Sequence, residues 1–209
     1  MESSLKNMVL VLFTITLLSS AAVGGVYLIT KEPIAQAKEA AVNNALKQVL
    51  PEFEATTKQT IEVNALPIVA HTATVTDKAV GYAIESISKN GFGGAIRLMV
   101  GFDTEGNIVN INVLEQKETP GLGTKMTDEG NALHSSLVGK NAGKVNLTVK
   151  KDGGDVDALT AATISSRAYA EAVAVAYEAF KVACGWQSAA GDVATCLLYT
   201  STLPTNVNV

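Results

Sequence analysis

From Met8 to Ile29 the chain carries no charged residue, and that one stretch limits what the rest can become. A helix needs about twenty apolar residues to cross the hydrocarbon core, where every backbone N–H and C=O must be satisfied internally. "NMVLVLFTITLLSSAAVGGVYLIT" meets that length, with Lys6 before it and Lys31, Glu32 and Pro33 closing it. A cleaved signal peptide is the competing expectation, because Ser19 and Ala21 suit a small-residue cleavage pattern. Val23, Val26, Leu28 and Ile29 carry the apolar run past a usual signal core, which favours an uncleaved membrane anchor. Lys6 and the amino terminus nearly balance Lys31 and Lys38, so the positive-inside rule hardly votes. The short flank ahead of the span favours placing the remainder of the chain outside the cytoplasm, on a cytoplasmic (inner) membrane.

Composition agrees with an anchor and narrows the function classes. The chain is 47% hydrophobic and only 17% charged. Its net charge of −4 and lack of a basic stripe argue against a nucleic-acid partner. Cys184 and Cys196 belong to no CxxC pattern, so iron–sulfur ligation, zinc ribbons and haem attachment gain no support. They could pair outside the cytoplasm or remain two thiols. His71 and His134 are solitary, with no second ligand at metal-binding spacing, and read as ordinary surface or partly buried imidazoles.

Beyond the anchor (residues 8–30, after a flank of residues 1–7), residues 34–50 show one apolar helical stripe, ended by Pro51. A stalk helix and linker over residues 31–66 follow from this. The pattern then changes. "GYAIESIS", "GAIRLMVGFD" and "IVNINVLE" alternate as half-buried antiparallel strands do, and "KVNLTVKKD" predicts a further strand. Residues 160–183 are Ala-rich and unbroken by Gly or Pro, which predicts a helix that Gly185 stops. The fold class expected for residues 67–185 is α+β, an antiparallel sheet covered by helices. The tail, residues 186–209, has no sustained period.

Three short segments stand out as candidates for chemistry. In "QKETPGLGTKM", Pro120 fixes the chain direction, and Gly121 and Gly123 remove side chains that would hold a ligand off the backbone. Leu122 is left as an apolar finger between them. "KNGFGGAIR" offers a second glycine-rich turn with Phe92 as its aromatic. Either segment could equally be a plain connection. In "DALTAATISSR", the Thr/Ser cluster could cap the helix that follows or present one hydroxyl to an anion. A threonine hydroxyl is a poor nucleophile without an activating base, and no His or Lys stands near Thr163 in the sequence. A helix start with small neighbours does suit a phosphate held near Thr163.

"DALTAATISSR" resembles the flavinylation motif of the FMN-binding domain family, and "GFGGAIR" and "KETPGLGTK" resemble that family's other two signatures, in the same order. With the anchor added, residues 1–185 are similar to the RnfG family, the G subunits of Rnf ion-translocating electron-transport complexes. The C subunit of the Na⁺-translocating NADH:quinone reductase shares the domain and stays as the alternative. A tethered binding module without cofactor is the rival from another class.

The resemblance implies FMN joined through its phosphate to Thr163 as a phosphoester, attached by a separate Mg-dependent flavin transferase of the ApbE type with FAD as donor. It implies that Thr160, Ala161, Ala162 and Ile164 line the phosphate end, with Leu159 also among the cofactor-binding residues. Asp157 would serve transferase recognition or hold the motif's backbone. Glu118, Thr119, Gly121, Leu122 and Gly123 would approach the flavin ring, with Lys125 at its edge and Phe92 nearby. No residue is assigned a catalytic or metal-binding role. The other subunits of the complex and the membrane are the implied partners, and electron relay within an oxidoreductase that couples ferredoxin oxidation and NAD reduction to Na⁺ or H⁺ movement is the implied function. Two positions depart from the family pattern: Ala161 where glycine is usual and Ala95 where proline is common. A positive φ at position 161 would cost alanine about 1 kcal/mol, whereas a helical first turn would cost nothing. The expectation is the helical turn.

Overall fold

The apolar stretch forms the first half of one helix, α1 (Leu5–Val49), in a computed structural model that describes residues 5–63, 66–76 and 78–185. The tail, and with it any pairing of Cys184 with Cys196, lies outside the described residues. The helix does not stop with the apolar span: it runs through Pro33 into the predicted stalk. Pro33 has no N–H to offer the carbonyl of Ile29, a loss the helix absorbs at the polar end of its apolar span. The apolar window has a mean hydropathy of 2.2 and none of it is buried, so by length and composition it can cross a bilayer.

Five strands follow as an antiparallel meander, in the order β1-β2-β3-β4-β5. They are β1 (Ala55–Val63), β2 (Leu66–Val75), β3 (Lys78–Ser88), β4 (Ile96–Phe102) and β5 (Ile108–Glu115). β3, β4 and β5 lie where the sequence alternation predicts strands, whereas β2 lies where it predicts none. Nor does it predict β1, which occupies part of the stretch read as linker, where "ATTKQTIEV" is polar enough to resemble a connection. Six of its nine residues are exposed before Ile61 turns inward, as suits a strand at the edge of a sheet.

The long segment between β5 and the last helix holds a 3-10 turn (Gly123–Thr127), the short helix α2 (Ala132–Ser135) and a second 3-10 turn (Lys150–Asp152). The strand expected at residues 144–152 is not formed. Val149 makes one isolated bridge to Val156, and Gly153, at φ +86°, turns the chain back. The apolar residues that suggested a strand do serve the core: Val149 is buried and Leu147 packs against it. Alternation here reflects a loop plugging the core, not a hydrogen-bonded ladder.

α3 (Thr163–Ala183) lies across one face of the sheet, and the last turns of α1 lie on the other. Ile84, Ile96, Leu98, Val100 and Phe102 meet Ala172, Val173, Ala176 and Phe180 on the α3 side. Ala73, Ala83 and Met99 meet Ala45, Leu46, Val49 and Leu50 on the other. β4 is therefore buried along nearly its whole length and not half-buried as its alternation suggested. Both faces are covered because the stalk is part of the fold.

Candidate functional site

Three chain segments meet at the N-terminal end of α3: the turn between β3 and β4, the loop after β5, and the run of residues 157–167. Glu118 ties them together from a buried position, 5% exposed. Its Oε1 accepts from the Gly93 N–H at 3.0 Å and its Oε2 from the Ser165 hydroxyl at 2.5 Å, while its own N–H donates to Gln116 Oε1 at 2.7 Å. The loop glycines serve this packing. A Cβ at Gly93 would lie 1.8 Å from the Lys117 carbonyl, and one at Gly123 would lie 2.7 Å from Glu118 Cβ and 2.8 Å from Ser165 Oγ. The sequence assigns Gly121 and Gly123 to ligand approach. In the fold Gly123 also makes room for Glu118 and Ser165, and Gly121 supplies a turn at φ +77°.

Between these segments opens a cleft of about 330 Å³. Phe92 lines it from the turn, Glu118, Thr119, Leu122 and Gly123 from the loop, and Ala161, Ala162, Thr163, Ile164 and Ser165 from the start of α3. Nine of these ten were expected from the sequence; Ser165 was not among them. Five expected residues do not line it. Asp157 pairs with Lys150 at 2.6 Å, and its N–H donates to the Ser136 hydroxyl at 3.2 Å. Leu159 belongs to the core, whereas Thr160, Gly121 and Lys125 are exposed away from the cleft lining.

Whether the Thr/Ser cluster caps the helix is answered by following each hydroxyl. The N-cap of α3 is Ala162, which has no side-chain oxygen to offer the first-turn amides. Ser166 Oγ accepts from the Leu159 N–H and donates to the Ala162 carbonyl, both at 2.9 Å. Ser165 is bound to Glu118. Thr163 is the hydroxyl left at the cleft. It is not without a cationic neighbour, as its sequence surroundings suggested, because Lys151 Nζ donates to Thr163 Oγ1 at 3.0 Å. No local signal could have found Lys151, since it reaches Thr163 through the fold of the segment expected to be a strand.

Ala161 also departs from expectation. Its φ is +61°, so it lies in the left-handed region and not in a helical turn. The helix accordingly starts at Thr163, later than the sequence suggested, after Ala162 at φ −132° and ψ 44°. A glycine there would be unstrained, which gives the family's usual residue a physical reason.

A larger cleft of about 780 Å³ lies on the opposite face of the sheet, beside α1. His71, expected to be ordinary, is buried there with its Nε2 2.9 Å from Glu85 Oε1. Arg97 binds Glu85 at 3.0 Å and approaches Glu115 at 3.7 Å. These groups are engaged with one another, and of them only Arg97 belongs to the three sequence segments above, at the end of the second. The smaller cleft is the better candidate.

The comparisons with known proteins identify the family. Residues 91–178, which span all three segments, match the model of the FMN-binding domain, and residues 1–49 match that of the RnfG N-terminal region. The G subunit of the ion-translocating oxidoreductase complex of Shewanella baltica (strain OS223) is 37% identical over 157 residues, covering 69% of this chain and 74% of that protein. The corresponding subunit from Vibrio atlanticus (strain LGP32) is 34% identical over 187 residues, covering 83% and 88%. That of Vibrio vulnificus (strain YJ016) is 36% identical over 159 residues, covering 69% and 74%. With an FMN-binding domain behind an N-terminal region of the RnfG kind, the chain belongs to the family of G subunits of ion-translocating oxidoreductase complexes.

Proposed function

We propose that this chain is a membrane-anchored electron carrier whose FMN is joined through its phosphate to Thr163. The observation that carries the reading is the hydroxyl accounting: Ser165 and Ser166 are bonded to Glu118 and to the motif's own backbone, whereas Thr163 lines the cleft with its hydroxyl bound by the exposed Lys151. The residues fit the group. Ala162 leaves the first-turn amides of α3 open to an anion, and Lys151 supplies a positive charge beside them. Phe92, Leu122 and Ile164 are 68%, 41% and 48% exposed, an uncovered apolar rim of the kind a flat ring system packs against. Asp157, paired with Lys150, holds the start of the motif and takes no part in phosphate contact.

In this reading Thr163 Oγ1 forms the new bond to phosphorus while the anhydride P–O bond of FAD breaks. AMP leaves with the electron pair, and the hydroxyl proton passes to a base of the ApbE-type transferase. Once attached, FMN would supply one- and two-electron chemistry, and this chain would tether it, shield it and set its potential. The other subunits of an Rnf-type complex are the proposed partners, with electron flow from ferredoxin to NAD coupled to movement of Na⁺ or H⁺. The match of residues 1–49 to the RnfG N-terminal region supports this over the C subunit of the Na⁺-translocating NADH:quinone reductase. In this reading the domain after α1 lies on the extracytoplasmic side, as the resemblance to the RnfG family implies.

Thr163→Val tests the attachment, since it keeps the shape and removes the oxygen. After co-expression with the transferase, the variant is expected to fold and to show no flavin fluorescence on a denaturing gel, whereas Thr163→Ser keeps it. Fluorescence surviving in Thr163→Val but lost in Thr160→Val would move the site to Thr160. Fluorescence absent from the wild type under the same conditions favours a cofactor-free binding module.

A further inference from the structure

The 3-10 turn Lys150–Asp152 places three consecutive charged side chains on the motif, each on a different residue. Lys150 pairs with Asp157 at 2.6 Å, Lys151 donates to Thr163 Oγ1 at 3.0 Å, and Asp152 receives Arg167 through two bonds of 2.7 and 2.8 Å. The turn is fixed from behind as well. Lys150 N–H donates to the Val156 carbonyl at 2.8 Å, Val156 N–H to the Thr148 carbonyl at 3.0 Å, and Gly154 N–H to the Val149 carbonyl at 3.2 Å. Such a braced turn holds its middle side chain in register with Thr163.

The outer two contacts are ion pairs, but the middle one joins an ammonium to a neutral hydroxyl. Asp152, which also feels the charge of Lys151, is engaged chiefly by Arg167. Esterification would change the partner of Lys151 from a neutral oxygen to a phosphodiester with one negative charge on its two non-bridging oxygens. Those oxygens sit on the phosphorus that Oγ1 would carry, so a side chain already at Oγ1 reaches them by rotation about its own bonds. One positive charge then faces one negative charge, and charge-assisted bonds of this type are shorter and about twice as strong as neutral ones.

We propose that Lys151 is the phosphate-binding residue of the attachment site, guiding the anionic donor to Thr163 and neutralising the phosphodiester once formed. The proposal rests on the reading of Thr163 as the attachment point. Lys151 acts as a cation throughout and serves as neither nucleophile nor base.

The test is the initial rate at which the full-length chain in detergent acquires the mass of FMN less water from the transferase, FAD and Mg²⁺. A charge series ranks the outcome: Lys151→Arg close to wild type, Lys151→Gln slower by about tenfold, the scale of one charge-assisted hydrogen bond, and Lys151→Glu slower still. The wild-type rate is expected to fall more steeply with added KCl than the Gln rate, because only the former includes the screened attraction. Lys151 is exposed, and Arg and Glu keep the ranking readable if one variant folds poorly. Gln and Glu variants matching the wild type, or Arg as slow as Gln, overturn the proposal. Thr163→Val run alongside separates the two readings. If it takes up flavin, the attachment reading fails and the role of Lys151 with it; if it takes none while Gln and Glu match the wild type, only the role of Lys151 falls.

Discussion

At the scale of single residues, Ala161 is where the site shows strain. Its φ of +61° forces a Cβ into the left-handed region, at a cost of about 1 kcal/mol, to bring the chain from Thr160 into α3 with Thr163 facing the cleft. Ala161→Gly relieves that contact but loosens the unfolded chain, by about 0.4–1 kcal/mol, so the net gain is expected to be no more than about 0.6 kcal/mol. The measurement is the thermal midpoint of the flavin-free protein, which should rise. A fall would mean that the alanine methyl makes a contact worth more than its strain. Glu118 is the residue to which the site owes its shape, because one carboxylate receives bonds from two of the three converging segments and belongs to the third.

Among the elements, α1 does two jobs that the sequence presents as separate. Its apolar half is uncovered by the other described residues, while Ala45, Leu46 and Val49 near its other end are core residues of the sheet. Anchor and domain are thus joined by continuous helix and not by a flexible linker. At about 1.5 Å per residue, the helix from Ile29 to Val49 extends roughly 30 Å. The domain must then lie on whichever side α1 exits. A periplasmic-active reporter fused after Gly185 is expected to be active; a cytoplasmic-active reporter working at that position would reverse the assignment. Alkaline phosphatase and green fluorescent protein fusions make the pair of readouts.

For the whole molecule, the face of the sheet opposite α3 holds a buried cluster from which a pH dependence of stability is expected. Glu85 on β3 meets His71 on β2 and Arg97 on β4. The hydrogen bond from His71 is the main cause that holds its carboxyl below the ordinary range; burial works against this, and the charges of His71, Arg97 and Lys58 reinforce it. A carboxyl with a lowered folded pKa contributes stability above its unfolded value, near 4.5, and loses it as pH falls through the folded value. Urea unfolding of the wild type is therefore expected to weaken from about pH 7 to about pH 3, and Glu85→Gln should lose less over the same range. An equal loss in both would mean that other carboxylates carry the acid sensitivity.

The sequence by itself determined the apolar span and four of the elements after Pro67, because each rests on a local period, and its resemblance to the FMN-binding domain family singled out three segments that the fold brings together. The charge-free run needs no partner to be read, and strands β3, β4 and β5 and helix α3 each announce themselves within their own windows. The tertiary structure alone decided the rest. Polar β1 is a strand because β2 pairs with it along its length. Residues 144–152 are not one, since no neighbouring strand offers a ladder and the buried Val149 is held by core packing instead. Ala161 takes a positive φ because Glu118 and Ser165 fix one side of the turn and Ser166 the other. Lys151 meets Thr163 only because Asp157 and Arg167 grip the residues on either side of it. Contacts between residues far apart in the chain leave no period in either segment, so the charge beside the candidate attachment oxygen could be seen only once the chain had folded.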